Sequence, residues 1–63
     1  MKLKRRQQQI LSQLRALQSE LSVEELTEKF AVSKLTIRRD LDQLEKEKVV
    51  LRTHGGGRLP ERR

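Results

Sequence analysis

The sequence predicts a mostly α-helical domain, three helices followed by a small β-hairpin. Three observations carry the prediction. Apolar residues recur at helical spacing in two long segments, Ile10, Leu14 and Leu17 in the first and Ile37, Leu41 and Leu44 in the second. Between them, Ser22 and Ser33 each stand where an N-cap is needed and bracket a short middle helix. Beyond Glu47 the pattern turns aliphatic and β-branched, then runs into Gly55, Gly56 and Gly57.

The first helix is expected over about residues 3–17, with Leu11 widening its apolar stripe. The second is expected over about 23–30. Ser22 caps it, Glu25 completes a capping box, and Leu21 and Leu26 flank the cap as a hydrophobic staple. Ala31 and Val32 leave a very short connection to the next cap, Ser33. Val32 and Ile37 then sit at the staple positions of the third helix, which is expected to run to about Glu47. At about 100° per residue, Leu35, Arg39, Asp42 and Lys46 point away from its core stripe, with Arg38 on one flank and Thr36 on the other. Val49–Thr53 reads as a strand, Gly55–Gly57 as a turn free to adopt positive φ, and Arg58–Leu59 as a short returning strand stopped by Pro60. Two short helices joined by a tight turn and closed by a hairpin make a three-helix winged helix-turn-helix. The domain is expected over residues 1–59, with the helix-turn-helix at about 22–47 and the wing at about 49–59. Residues 60–63 are expected to be a frayed tail or the stub of a linker.

The 63 residues include no cysteine, so neither a disulfide nor a cysteine-ligated zinc staples so small a core. His54 is the only histidine, and it has no clustered partner, so no metal site is expected. No apolar run follows Met1–Arg6 and none approaches the length of a membrane span, so neither a signal peptide nor a membrane partner is expected. The net charge is +6, unevenly spread: residues 1–6 contribute +4, residues 52–63 contribute +3, and the middle nets −1.

The third helix concentrates the signal. Lys34, Arg38 and Arg39 lie in its first turns, where the helix dipole disfavours cations by about 0.3–1 kcal/mol each. Asp40, Asp42, Glu45 and Glu47 crowd its second half, where anions sit poorly. A local rule broken twice in one helix marks a functional site, and a polyanion docked at the helix start would make the arrangement favourable. A helix fits the major groove of B-DNA and meets base edges with its N-terminal residues. Arg38 and Arg39 suit guanine edges or phosphates, Ser33 and Thr36 can donate to phosphates, and Leu35 can touch a thymine methyl. Arg52, His54, Gly55, Gly56 and Arg58 would reach the backbone or minor groove as a wing. Lys2, Lys4, Arg5 and Arg6 are candidates for flanking phosphates. Asp40 lies beside the core stripe and is expected in an internal ion pair; Ser22, Glu25, Ile37, Leu41 and Leu44 are expected to be structural.

The run Ser33-Lys34-Leu35-Thr36-Ile37-Arg38-Arg39-Asp40-Leu41 strongly resembles the recognition-helix signature of DeoR-type bacterial transcriptional regulators. Arg6, Ile10, Leu11 and Leu14 look like that family's first helix, Ser22-Val23-Glu24-Glu25-Leu26 like the start of its second, and Arg52-Thr53-His54-Gly55-Gly56-Gly57 like the end of its wing. The family usually has glycine after helix one, where this chain has Gln18-Ser19-Glu20, and at the exit of helix three, where it has Lys48. Both turns must then be made without glycine. The resemblance implies sequence-specific binding of double-stranded DNA as the operator-reading domain of a cytoplasmic repressor of sugar or carbohydrate metabolism genes, associated with the nucleoid when bound. It implies no cofactor for this domain. Typical relatives continue into a larger domain that binds a phosphorylated sugar, which this chain is expected to lack, and homo-oligomerisation is expected of the family. An alternative is a winged helix that docks another protein. Double-stranded RNA fits less well, because helix side chains cannot read its narrow major groove. No enzyme is expected: His54-Gly55-Gly56-Gly57 has no nucleophile elbow to serve, and Arg58-Leu59 follows the glycines where a P-loop needs Lys and Ser or Thr.

Overall fold

The computed structural model describes residues 3–60 and places α1 at Arg5–Leu17, β1 at Leu21–Ser22, α2 at Val23–Phe30, α3 at Lys34–Lys46, β2 at Leu51–Arg52 and β3 at Gly56–Arg58. The expectations for Lys2 and for the tail beyond Pro60 lie outside the described residues. Helix α1 starts two residues later than the periodicity suggested. Lys4 is extended and serves as N-cap, its N–H donating to Gln7 Oε1 at 3.1 Å. Helix α2 has the bounds its capping box predicts. Glu25 N–H donates to Ser22 Oγ at 3.0 Å, and Ser22 N–H donates to Glu25 Oε1 at 2.9 Å. The Ser22 backbone N–H first, and the Ser22 hydroxyl after it, hold the Glu25 carboxyl below its ordinary range.

Ile10, Leu11, Leu14, Leu21, Val23, Leu26, Ile37, Leu41, Leu44 and Val50 form one core, with Phe30, Val32 and Val49 packed against it. Leu17 departs from expectation and is 52% exposed. It is the last residue of α1, and at Gln18 the chain turns away into the left-handed region, at φ 51°. Among the described residues three other than glycine adopt that conformation, Gln18, Ala31 and Lys48, with φ of 51°, 55° and 64°. Each follows a helix end. The turns that lack glycine are therefore made at the backbone cost an L-residue incurs there.

The sheet is antiparallel with strand order β1-β3-β2, so the wing is anchored on a strand the sequence did not reveal. Leu21 faces Gly57 and Ser22 faces Gly56 across one ladder; Leu51 faces Arg58 and Arg52 faces Gly57 across the other. This corrects the reading of Gly55–Gly57 as a turn free to adopt positive φ. None has a positive φ, and Gly56 and Gly57 are buried within β3. A Cβ on Gly56 would lie 1.9 Å from the backbone oxygen of Leu21. One on Gly57 would press on Leu41 and Val50 at 3.0 and 3.2 Å. Glycine is required here by close approach rather than by φ.

Candidate nucleic-acid interface

Ser33 caps α3. Thr36 N–H donates to its Oγ at 3.2 Å, and the two hydroxyl oxygens are 3.0 Å apart. Both hydroxyls, expected to face phosphates, are thus already engaged in starting the helix. The following turns present Lys34, Leu35, Arg38 and Arg39 to solvent, Leu35 at 57% exposure. Among the described residues neither Arg38 nor Arg39 enters an ion pair. Lys34 approaches only Glu24, at 3.9 Å, and both side chains are well exposed, so the contact is weak.

The second half of α3 is arranged differently. Asp40 is only 4% exposed, and its carboxylate accepts from Arg6 Nε, from Arg6 Nη2 at 3.3 Å and from Gln7 Nε2 at 3.2 Å. Arg6 is therefore drawn into the fold and is not a free phosphate ligand, as its place in the basic N-terminus suggested. Its guanidinium pKa is raised, chiefly by the hydrogen bond to Asp40 and against the smaller effect of desolvation. Asp42 pairs with Arg52 Nη1, and Glu45 Oε2 accepts from the Arg52 backbone N–H at 3.2 Å. Gln43 Nε2 donates to Glu47 Oε2 at 3.4 Å.

The wing residues separate. Arg52, expected to reach DNA, is turned inward: besides Asp42, its Nε donates to the carbonyl of Gly56 at 3.3 Å. Gly56 is buried between strands and accepts from Thr53 N–H at 3.0 Å, so it shapes the wing and presents no surface to a ligand. His54 and Gly55 are exposed at the tip, and the Gly55 carbonyl accepts from Val23 N–H at 2.8 Å, tying the tip to the start of α2. A small recess joins this tip to α3, lined by Lys34, Arg38, Arg52, His54 and Gly55 together with Val23 and Glu24 of α2. Arg58 lies elsewhere, in an open groove with Arg15, Lys48 and Leu59. Lys34, Arg38, His54 and Gly55 are thus brought together, while Leu35 and Arg39 lie on the same helix. Asp42 and Glu45 were not expected to matter. Their signal was the spacing of Lys34, Arg38, Asp42 and Glu45, which puts all four on one stripe of the helix.

Basic side chains gathered at the start of a capped helix, beside the tip of a hairpin, form a surface suited to a duplex groove. Residues 6–63 match the model of the DeoR-like helix-turn-helix domain. The chain belongs to this family. The glycerol-3-phosphate regulon repressor of Escherichia coli is 54% identical to this DeoR-like domain over 43 residues, 68% of this chain and 17% of that protein. The lactose phosphotransferase system repressor of Lactococcus lactis is 39% identical over 56 residues, 89% of this chain and 22% of that protein. The HTH-type transcriptional regulator YulB of Bacillus subtilis is 47% identical over 51 residues, 81% of this chain and 19% of that protein. The matches thus cover about a fifth of the length of these curated relatives. No solved structure matches the chain. Among the described residues no cluster of three His, Cys, Asp or Glu side chains is placed to hold a metal ion. No described helix is long and apolar enough to cross a membrane.

Proposed function

We propose that the chain binds double-stranded DNA in a sequence-specific manner, as the operator-reading domain of a transcriptional regulator. The observation that carries this is the exposure of Arg38 and Arg39, without an ion pair among the described residues, at the end of α3 where the helix dipole disfavours them. In this reading the first turns of α3 enter the major groove, with Arg39 and Leu35 toward base edges and Thr36 at the margin. Lys34, Arg38, His54 and the Gly55 backbone hold phosphates beside it. The names of the relatives support a repressor of sugar or carbohydrate genes; action on nucleoid DNA in the bacterial cytoplasm is part of the same proposal. Response to a phosphorylated sugar and homo-oligomerisation are assigned to the part of such proteins that this chain does not span.

The test is selection of bound duplexes from a random pool by the 63-residue chain, followed by titration at several salt concentrations. A common sequence should emerge. With about six phosphates engaged, log K should fall with log salt at a slope of about −5. Equal retention of all duplexes, or retention of none, would overturn the proposal.

A further inference from the structure

Resting on that DNA reading, we propose that Asp42, through Arg52, is a positioning residue for the wing: it fixes where the tip stands relative to the DNA-reading end of α3. The four residues of the α3 stripe divide by charge. Lys34 and Arg38 lie toward the helix start, Asp42 and Glu45 toward its end. Arg52 is held against the acidic pair, and His54, two residues further along the wing, shares a recess with the basic pair. A single spacing therefore sets both contacts: the bond at Arg52 determines which turn of α3 the tip lies beside.

The wing needs such a fastening. Its strands are two and three residues long, too short for ladder bonds alone to make a rigid ribbon. Arg52 supplies three bonds from one residue: Nη1 to Asp42, Nε to the Gly56 carbonyl and backbone N–H to Glu45. Its side chain is only 25% exposed, whereas that of Asp42 is 60% exposed. An exposed carboxylate on the outward side of a DNA-reading helix repels the backbone it approaches. Its presence there is accounted for by what it does to Arg52.

The two effects have opposite signs, and that makes the test decisive. Asp42→Asn removes one negative charge near the duplex, which by electrostatics alone tightens binding. If Asp42 positions the wing, the same change weakens binding. Asp42→Asn keeps an oxygen but gives up the charge that holds the guanidinium. Glu45→Gln removes an equal charge from a residue bonded to the uncharged Arg52 N–H, and so weighs the electrostatic effect with the ion pair intact. Each variant and the wild type are titrated with a duplex selected by the wild-type chain, at a temperature where circular dichroism shows all of them folded. Asp42→Asn should lose about three- to fivefold in affinity, the range one partly exposed pair can transmit. In a His54→Ala background the same change should cost less than it does in the wild type, because the tip contact it acts through is already gone, a coupling that a change in stability alone would not produce. Glu45→Gln should bind as tightly as the wild type or more tightly. In an Arg52→Gln background, Asp42→Asn should have no further weakening effect. Unchanged or tighter binding by Asp42→Asn would overturn the assignment while leaving the DNA reading intact. Failure of the wild-type chain to select any duplex would overturn the DNA reading and this assignment with it.

Discussion

Helix α3 carries charges of the wrong sign at both ends, and the two halves resolve that conflict differently. In the second half the acids are answered inside the molecule: Asp40 by Arg6 and Gln7, Asp42 and Glu45 by Arg52, Glu47 by Gln43. In the first half Arg38 and Arg39 face solvent with no such partner among the described residues. The broken dipole rule therefore has two meanings within one helix. Where internal partners are present, it marks how α1 and the wing are fastened to α3. Where they are absent, it marks a surface whose partner lies outside the chain.

The largest way to break that contrast is to dislodge the wing from the second half. Gly56→Ala puts a Cβ 1.9 Å from a backbone oxygen and 2.8 Å from the carbonyl carbon of Leu21, and neither is a flexible side chain that can move aside. A loss of about 4 kcal/mol or more is expected, enough to unfold so small a domain, as read by thermal or urea denaturation. A melting temperature within a few degrees of the wild type would show that β1 and β3 have freedom to separate.

Asp40 and Arg39 then make a matched pair, adjacent in sequence and on opposite sides of the contrast. Asp40→Ala leaves Arg6 and Gln7 facing a lost acceptor. Breaking a fully buried pair costs about 3–5 kcal/mol, but Arg6 is 31% exposed and water can replace part of the interaction, so about 2–3 kcal/mol of stability should go. Arg39→Ala should do the reverse: stability within about 0.5 kcal/mol of the wild type, and specific DNA binding weaker by about 1–3 kcal/mol. Denaturation and duplex titration of both variants give a two-by-two result. If Arg39→Ala lowers the melting temperature as much as Asp40→Ala does, the division of α3 into an inward and an outward half is wrong.

The parts of this contrast that were legible in the sequence were the local ones. Ser22 with Glu25, and Ser33 with the staple at Val32 and Ile37, announced two helix starts within a few residues, because caps and staples are read from neighbours in the chain. The buried stripe of Ile37, Leu41 and Leu44 followed from spacing alone. What stayed hidden was long-range. Strand β1 is two residues long and shows no alternation, and its Ser22 already had a reading as a cap. The need for glycine at 56 arises from a strand more than thirty residues away in the chain. Arg6 and Arg52 looked like surface cations because charge counts along a sequence do not say which carboxylate folds back to meet them. The spacing of Asp40 did place it beside the core, but not which arginine would reach it.

The smallest expected effect concerns the joints that hold the two halves in place. Lys48, at φ 64°, reverses the chain after α3, allowing β2 to bring Arg52 against Asp42 and Glu45. Gln18, at φ 51°, makes the corresponding turn after α1, where its backbone N–H donates to the carbonyl of Leu14 at 2.8 Å. An L-residue in this region carries roughly 1–2 kcal/mol of strain that glycine avoids. Glycine in turn gives the unfolded chain more freedom, which offsets part of the gain. The balance favours glycine by about 0.5–1 kcal/mol at each site, a rise of several degrees in the melting temperature of a domain this size. Gln18→Gly is the cleaner test, since it alters no charge. Lys48→Gly also removes a cation from the groove shared with Arg15 and Arg58, so its binding affinity needs measuring beside its stability. Both variants should be more stable, and Gln18→Gly, which lies in neither α3 nor the wing tip, should bind a selected duplex as the wild type does. A lower melting temperature for Gln18→Gly would mean that its side chain contributes more to the turn than the backbone strain takes away.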